Sequence, residues 1–149
     1  MLPNNVNNIF LNNLDWCFVE NYSKEAGLFT ITDGDKEYFR RQLNVKNIDS
    51  SFVDFYSIVA FVPLGKGKEL YGLEDIISTN ELDDILEGSR LERVRFLQFT
   101  SSEGEGSYYY DVDTDAVFNV GWGEEDQMIS GAATAWFESF YDFLNWYYS

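Results

Sequence analysis

At 149 residues, with 26 acidic and 10 basic side chains, the chain has the length of one domain with one core, and it carries a formal charge of −16. A field of that sign repels nucleic acid and anionic membrane, which are bound through Lys and Arg, and attracts basic partners. Histidine is absent, which removes the commonest general base and metal ligand and with it Ser-His-Asp and Cys-His machinery and histidine-built zinc sites.

In chain order, Met1 to Leu14 lacks a basic n-region and its apolar residues are broken up by Asn. This is not the pattern of a secretory signal. Val6, Ile9, Phe10 and Leu14 fall near helical spacing and predict a short helix. No run of 18 apolar residues occurs, so the expectation is a soluble, cytoplasmic protein. The next runs, DWCFVEN and GLFTIT, fit either short strands or extended pieces. Cys17, the single cysteine, cannot form an intramolecular disulfide and reads as a small core residue rather than a nucleophile. Thr32 or Asp33 is placed to N-cap a helix running to about Leu43, with Tyr38, Phe39 and Leu43 inward and Lys36, Arg40 and Arg41 outward. Asp49 or Ser50 caps a second, amphipathic helix carrying Phe52, Phe55, Tyr56 and Val59 and ending before Pro63. Gly65 and Gly67 flank Lys66 in a turn, Glu69 to Tyr71 starts a strand, and Leu73 to Gly88 is a helical or turn-rich connection. Arg90, Arg93 and Arg95 then lead into the best-defined part of the chain.

That part is Val94 to Trp122, three short runs rich in Val, Phe and Tyr and closed by turn residues at Ser101 to Gly106 and Asp113 to Asp115. The runs predict a three-stranded antiparallel meander. Their incomplete alternation, at Phe96, Leu97 and Phe99 and at Tyr108 to Tyr110, is expected where a helix covers one face and the other face is partly covered. A cover follows in ATAWFESFYDFLNWYY, where Trp136, Phe140, Phe143, Leu144 and Tyr147 recur at three- and four-residue spacing. On this reading Trp136 and Phe140 are both core residues whose loss unfolds the protein. Aromatic residues make up 18% of the chain; they fill a small core economically, and the sharper alternative is a ring-stacking surface for sugars or a partner.

Few motifs carry chemistry. Gly-x-Gly occurs at 65–67, 104–106 and 121–123 without Walker or dinucleotide spacing, so all three read as turns. Asp111, Asp113 and Asp115 occupy the first, third and fifth positions of a calcium-loop pattern. Its sixth position is Ala116 and its twelfth Trp122, so the loop fails where glycine and a bidentate acid are required. A β-turn explains these residues better. An acidic chain offers many Asp/Glu pairs for glycoside hydrolysis, and none is singled out. The expectation is a non-enzymatic protein without cofactor or metal.

The run from Phe99 to Gly106, then SYYYDVDTDAVFNV, a polar loop and WFESFYDFLNWYY resembles the C-terminal half of the SUKH superfamily, which includes the Smi/Knr-type regulator of yeast glucan synthesis and many bacterial relatives. The residues that carry the likeness are Gly104, Gly106, Tyr110, Asp111, Asp113, Val117, Ser139, Phe140, Phe143 and Leu144. Upstream, IDSSFVDFYSIVAF looks like the family's Leu-Pro-x-x-Tyr-x-x-Phe-Leu helix. Ile48 and Asp49 stand where Leu-Pro is usual, and PLGKGKELYGLEDI replaces the customary Asn-Gly-Gly. The likeness covers residues 48–148 of one SUKH-like domain spanning 1–149. It implies an α+β fold, a twisted, mostly antiparallel sheet packed by helices. It also implies a non-enzymatic binding protein, either an immunity protein that neutralises a cognate toxin, often a nuclease, or a regulatory adaptor in cell-wall glucan synthesis or envelope metabolism.

Charge narrows the expected surface. Residues 96–149 hold ten acidic and no basic side chains, so they contribute −10 and the first 95 residues −6. The expected surface for a basic toxin domain is Glu103 and Glu105, Asp113 and Asp115, and Glu124, Glu125 and Asp126, with Trp122 as an aromatic anchor.

Overall fold

The computed structural model describes residues 32–47, 49–59, 70–80, 95–101, 106–121 and 123–147. The expected N-terminal helix, Cys17, the turn at Gly65 to Gly67, Gly88, Arg90 and Arg93 lie outside these residues. Among the described residues the architecture is α+β, a three-stranded antiparallel sheet packed by helices.

Helix α1 (Asp33–Gln42) begins where the Thr32 hydroxyl accepts the Asp35 amide at 3.1 Å. Asp33 and Asp35 in its first turn and Arg40 and Arg41 in its last complement the helix dipole. The expected faces of α1 are corrected at two residues. Tyr38 is 57% exposed, whereas Lys36 is buried beside Phe39 and Leu43. Lys36 lies three residues before Phe39, on the same face, and its ammonium reaches Asp54 at 3.2 Å and Asp49 at 3.7 Å.

Helix α2 (Ser51–Val59) is capped by Ser50, whose hydroxyl accepts the Val53 amide at 3.2 Å. It was expected to be amphipathic, but Phe52 through Tyr56 and Ser57 are all buried. A helix buried all round belongs at the centre of a fold. Phe52 stacks on Tyr110 at 3.9 Å and meets Phe140 edge-on at 4.8 Å and Phe99 at 6.0 Å. One ring thus ties α2 to the sheet and to the C-terminal helix.

Leu70 bridges Thr100, and the Tyr71 amide donates to Phe99 at 2.9 Å, before helix α3 (Leu73–Thr79) begins. Just after α3, the Asn80 amide donates to the Gln98 carbonyl at 2.9 Å and its oxygen accepts the Gln98 N–H at 3.0 Å. This side chain occupies the outer edge of strand β1 as another strand would.

Strands β1 (Phe96–Gln98), β2 (Gly106–Asp111) and β3 (Val117–Gly121) pair in sequence order, with Leu97 opposite Tyr110 and Tyr110 opposite Val117. The meander is as expected, but two of its glycines are not turn residues. Gly106 pairs with Gly121 inside the ladder, and a Cβ on Gly106 would collide with the Val120 carbonyl oxygen and stand 2.9 Å from the Gly121 Cα. Close backbone approach, not chain reversal, requires glycine there.

After β3 the stretch read as a polar loop contains helix α4 (Glu125–Ser130), which buries Met128 and ends at Gly131 with φ 87°. The final helix, α5 (Phe140–Tyr147), is shorter than its apolar spacing suggests. Phe137 instead bridges Val117, with the Val117 amide donating to the Phe137 carbonyl at 2.9 Å. Ser139 caps α5 by accepting the Asp142 amide at 3.1 Å. Phe140, Phe143 and Leu144 are buried as expected, while Trp136, outside the helix, is 59% exposed.

Candidate functional site

The meander has two ends, and the acidic residues divide between them. At one end is the β2–β3 turn. Asp111 is buried and accepts a two-pronged contact from Arg95, Nε at 3.0 Å and Nη2 at 2.9 Å, plus the Thr114 hydroxyl at 2.7 Å and the Asp113 amide at 2.9 Å. Burial pushes its carboxyl up, but these hydrogen bonds outweigh burial and hold it below its ordinary value. Asp113 lies 3.5 Å from the same guanidinium. Asp115, at φ 71°, accepts the Tyr110 hydroxyl at 2.6 Å, and burial raises its pKa. All three acids of the calcium-like spacing therefore face internal donors, and the segment is a tightly bonded turn.

At the other end, Glu124, Glu125 and Asp126 precede and open α4, with Glu124 and Asp126 exposed. Acidic residues suit the positive end of a helix dipole, which is a sufficient local reason for their presence. Among the described residues none of the three joins an ion pair. Strand β2, six residues long, separates this end from the Asp113–Asp115 turn by about 20 Å. Of the expected surface, Asp113 and Asp115 thus lie at the far end of the sheet from Glu124 to Asp126. Glu103, Glu105 and Trp122 lie outside the described residues.

Helical spacing alone does not reveal the aromatic cluster on this sheet. Trp136 and Trp146 are 59% and 49% exposed, and both rings approach Tyr108 of β2, at 6.3 and 6.0 Å between centroids. Trp146 also packs on Phe137 at 5.5 Å. The available signal was Ser139-x-x-Asp142, a capping pattern that starts the helix at Phe140 and leaves Trp136 before it.

A second missed pair is Lys36–Asp54, which joins α1 to α2. Burial raises the Asp54 pKa to about 6 against the opposing pull of Lys36. Neither carboxylate oxygen makes a well-aligned hydrogen bond. A surface cavity of about 390 Å³ is walled by Gly34, Glu37, Tyr38, Arg41 and Gln42. Its acid, Glu37, is already bound to Arg40 at 2.6 Å. Among the described residues no group of three or more His, Cys, Asp or Glu is placed to hold a metal ion, and no helix is long and apolar enough to cross a membrane.

Comparison with protein-family models, with curated proteins and with solved structures returns no match.

Proposed function

We propose that this chain is a non-enzymatic protein-binding module of the immunity type. It acts in the cytoplasm and neutralises a cognate toxin, with nucleases as the leading class, by engaging a basic face of that toxin. The observation that carries this reading is the group Glu124, Glu125 and Asp126, acids at the start of α4 that no described cation neutralises, within a third of the chain that holds no Lys or Arg. Such a surface steers a cationic partner and accelerates its association, most strongly at low salt. The likeness to the SUKH superfamily supports the same reading, because its bacterial members include toxin-binding immunity proteins.

The test is co-purification with, and inhibition of, the toxin encoded beside this chain, followed by reversal of all three acids to lysine. Expected is toxin protection by the native chain and association slowed on the order of tenfold at low salt in the triple variant, a difference that shrinks as salt rises. A native chain that neither binds nor inhibits that toxin, but holds an envelope or glucan-synthesis enzyme, replaces this reading with the regulatory one.

A further inference from the structure

The exposed aromatic cluster and the acidic start of α4 belong to one face of the sheet. In the β2–β3 ladder Tyr108 pairs with Asn119 and Gly106 with Gly121, so a pleated pair of strands points these four positions to the same side. A side chain at Gly121 would meet the Glu124 carboxyl group, whose atoms stand 3.1 to 3.3 Å from that Cβ position. Glu124 thus takes the place of the missing side chain on the Tyr108 face, about 7 Å along the strand from the Tyr108–Asn119 pair. Trp136 and Trp146 both close on Tyr108 from that same side. Asp142, near the start of α5, lies toward the Asp115 end of the sheet, close enough to help raise the Asp115 pKa, and is not part of this surface.

Two large indoles left half in water beside a carboxylate are a costly arrangement for a surface with only structural duties. Their chemistry matches one kind of side chain. A guanidinium stacks on an indole face, and the carboxylate alongside supplies the opposite charge and hydrogen-bond acceptors. Among the described residues, Lys36 is committed to Asp54, Arg40 to Glu37 and Arg95 to Asp111 at the opposite end of the sheet.

We infer that Tyr108, Trp136 and Trp146, flanked by Glu124, form a docking surface for an arginine-bearing segment of a basic protein. This inference rests on the protein-binding function proposed above and names the site within it. The aromatic rings act as the anchor and the Glu124 carboxylate fixes the cation, while Asp113 and Asp115 take no part.

The probe is a flexible nonapeptide of three Gly-Ser-Arg repeats, with a twin in which citrulline replaces each arginine and removes the charge at nearly constant shape. Titration is followed through the indole N–H resonances of the native chain. Expected are shifts confined to Trp136 and Trp146 among assigned indoles, no binding of the citrulline twin, and binding weakened about tenfold in Trp136→Ser with an unchanged thermal midpoint. Glu124→Gln, which keeps the shape over Gly121, weakens binding in the same direction. Binding that survives both Trp136→Ser and Trp146→Ser but vanishes on Glu124→Lys overturns the aromatic site and leaves the acidic surface standing. Absence of any peptide binding also overturns it. Neither result needs the toxin, so failure here is separable from failure of the proposed function.

Discussion

Phe140 and Trp136 are four residues apart and were equivalent on spacing alone, yet the structure gives them opposite roles. Phe140 is fully buried, with rings of Phe52, Phe55, Phe99, Tyr110 and Phe143 around it. Phe140→Ala removes a large side chain from a packed interior and is expected to cost about 3 to 5 kcal/mol in denaturant unfolding. Trp136→Ser removes a ring that is mostly in water, and its cost is expected below about 1 kcal/mol. Equal destabilisation by the two would contradict this assignment. Lys36 is the converse case, a charge expected outward that lies inside because Asp54 waits on the neighbouring helix. Helical spacing identifies which residues share a face; it does not reveal that a carboxylate on another element makes a buried lysine tolerable.

The legible elements are those whose ends carry chemistry of their own. Thr32 and Ser50 begin α1 and α2 where side-chain capping requires, and the three strands fall between the expected turns. The β2–β3 turn was legible because Asp, Thr and Asp are turn formers whatever surrounds them. Helix α5 was over-extended because apolar spacing continues through Trp136 and Phe137, where backbone bonds to Val117 hold the chain in a bridge instead. Helix α4 was missed because, at six residues, it holds a single buried side chain, Met128, and displays no periodicity. The cap at Ser139 decides where α5 starts. Ser139→Ala is expected to cost about 1 kcal/mol, with Ser139→Asp restoring most of it, because an aspartate serves the same amide. Equal loss in both variants would mean that the hydroxyl serves some purpose other than capping.

For the whole molecule, the acidic excess makes stability depend on pH in a direction unusual for a folded protein. Asp54 has a folded pKa of about 6 against an ordinary 3.8 because burial disfavours its charge. A carboxyl raised in this way contributes stability that is complete below pH 3.8 and lost as pH rises through 6, on the order of 2 to 3 kcal/mol in all. Asp115 is raised as well, and acts in the same direction. Asp111 is lowered by Arg95, Thr114 and the Asp113 amide, so its contribution is present above pH 3.8 and disappears as pH falls through its lower folded value. Relief of like-charge repulsion on protonating other acids adds to the gain on the mildly acidic side. The opposing limbs place maximum stability at about pH 4, below neutrality. Urea unfolding from pH 3 to 8 checks this, with Asp54→Asn expected to flatten the rise between pH 6 and 4 and Asp111→Asn expected to remove the fall below pH 4. The substitutions are compared by the slopes of their profiles, because above pH 6 Asp54→Asn also leaves the Lys36 ammonium buried without its nearest counter-charge. A native profile that rises steadily from pH 5 to 8 would mean that the Asp54 carboxylate is far better compensated than a single ammonium at 3.2 Å allows.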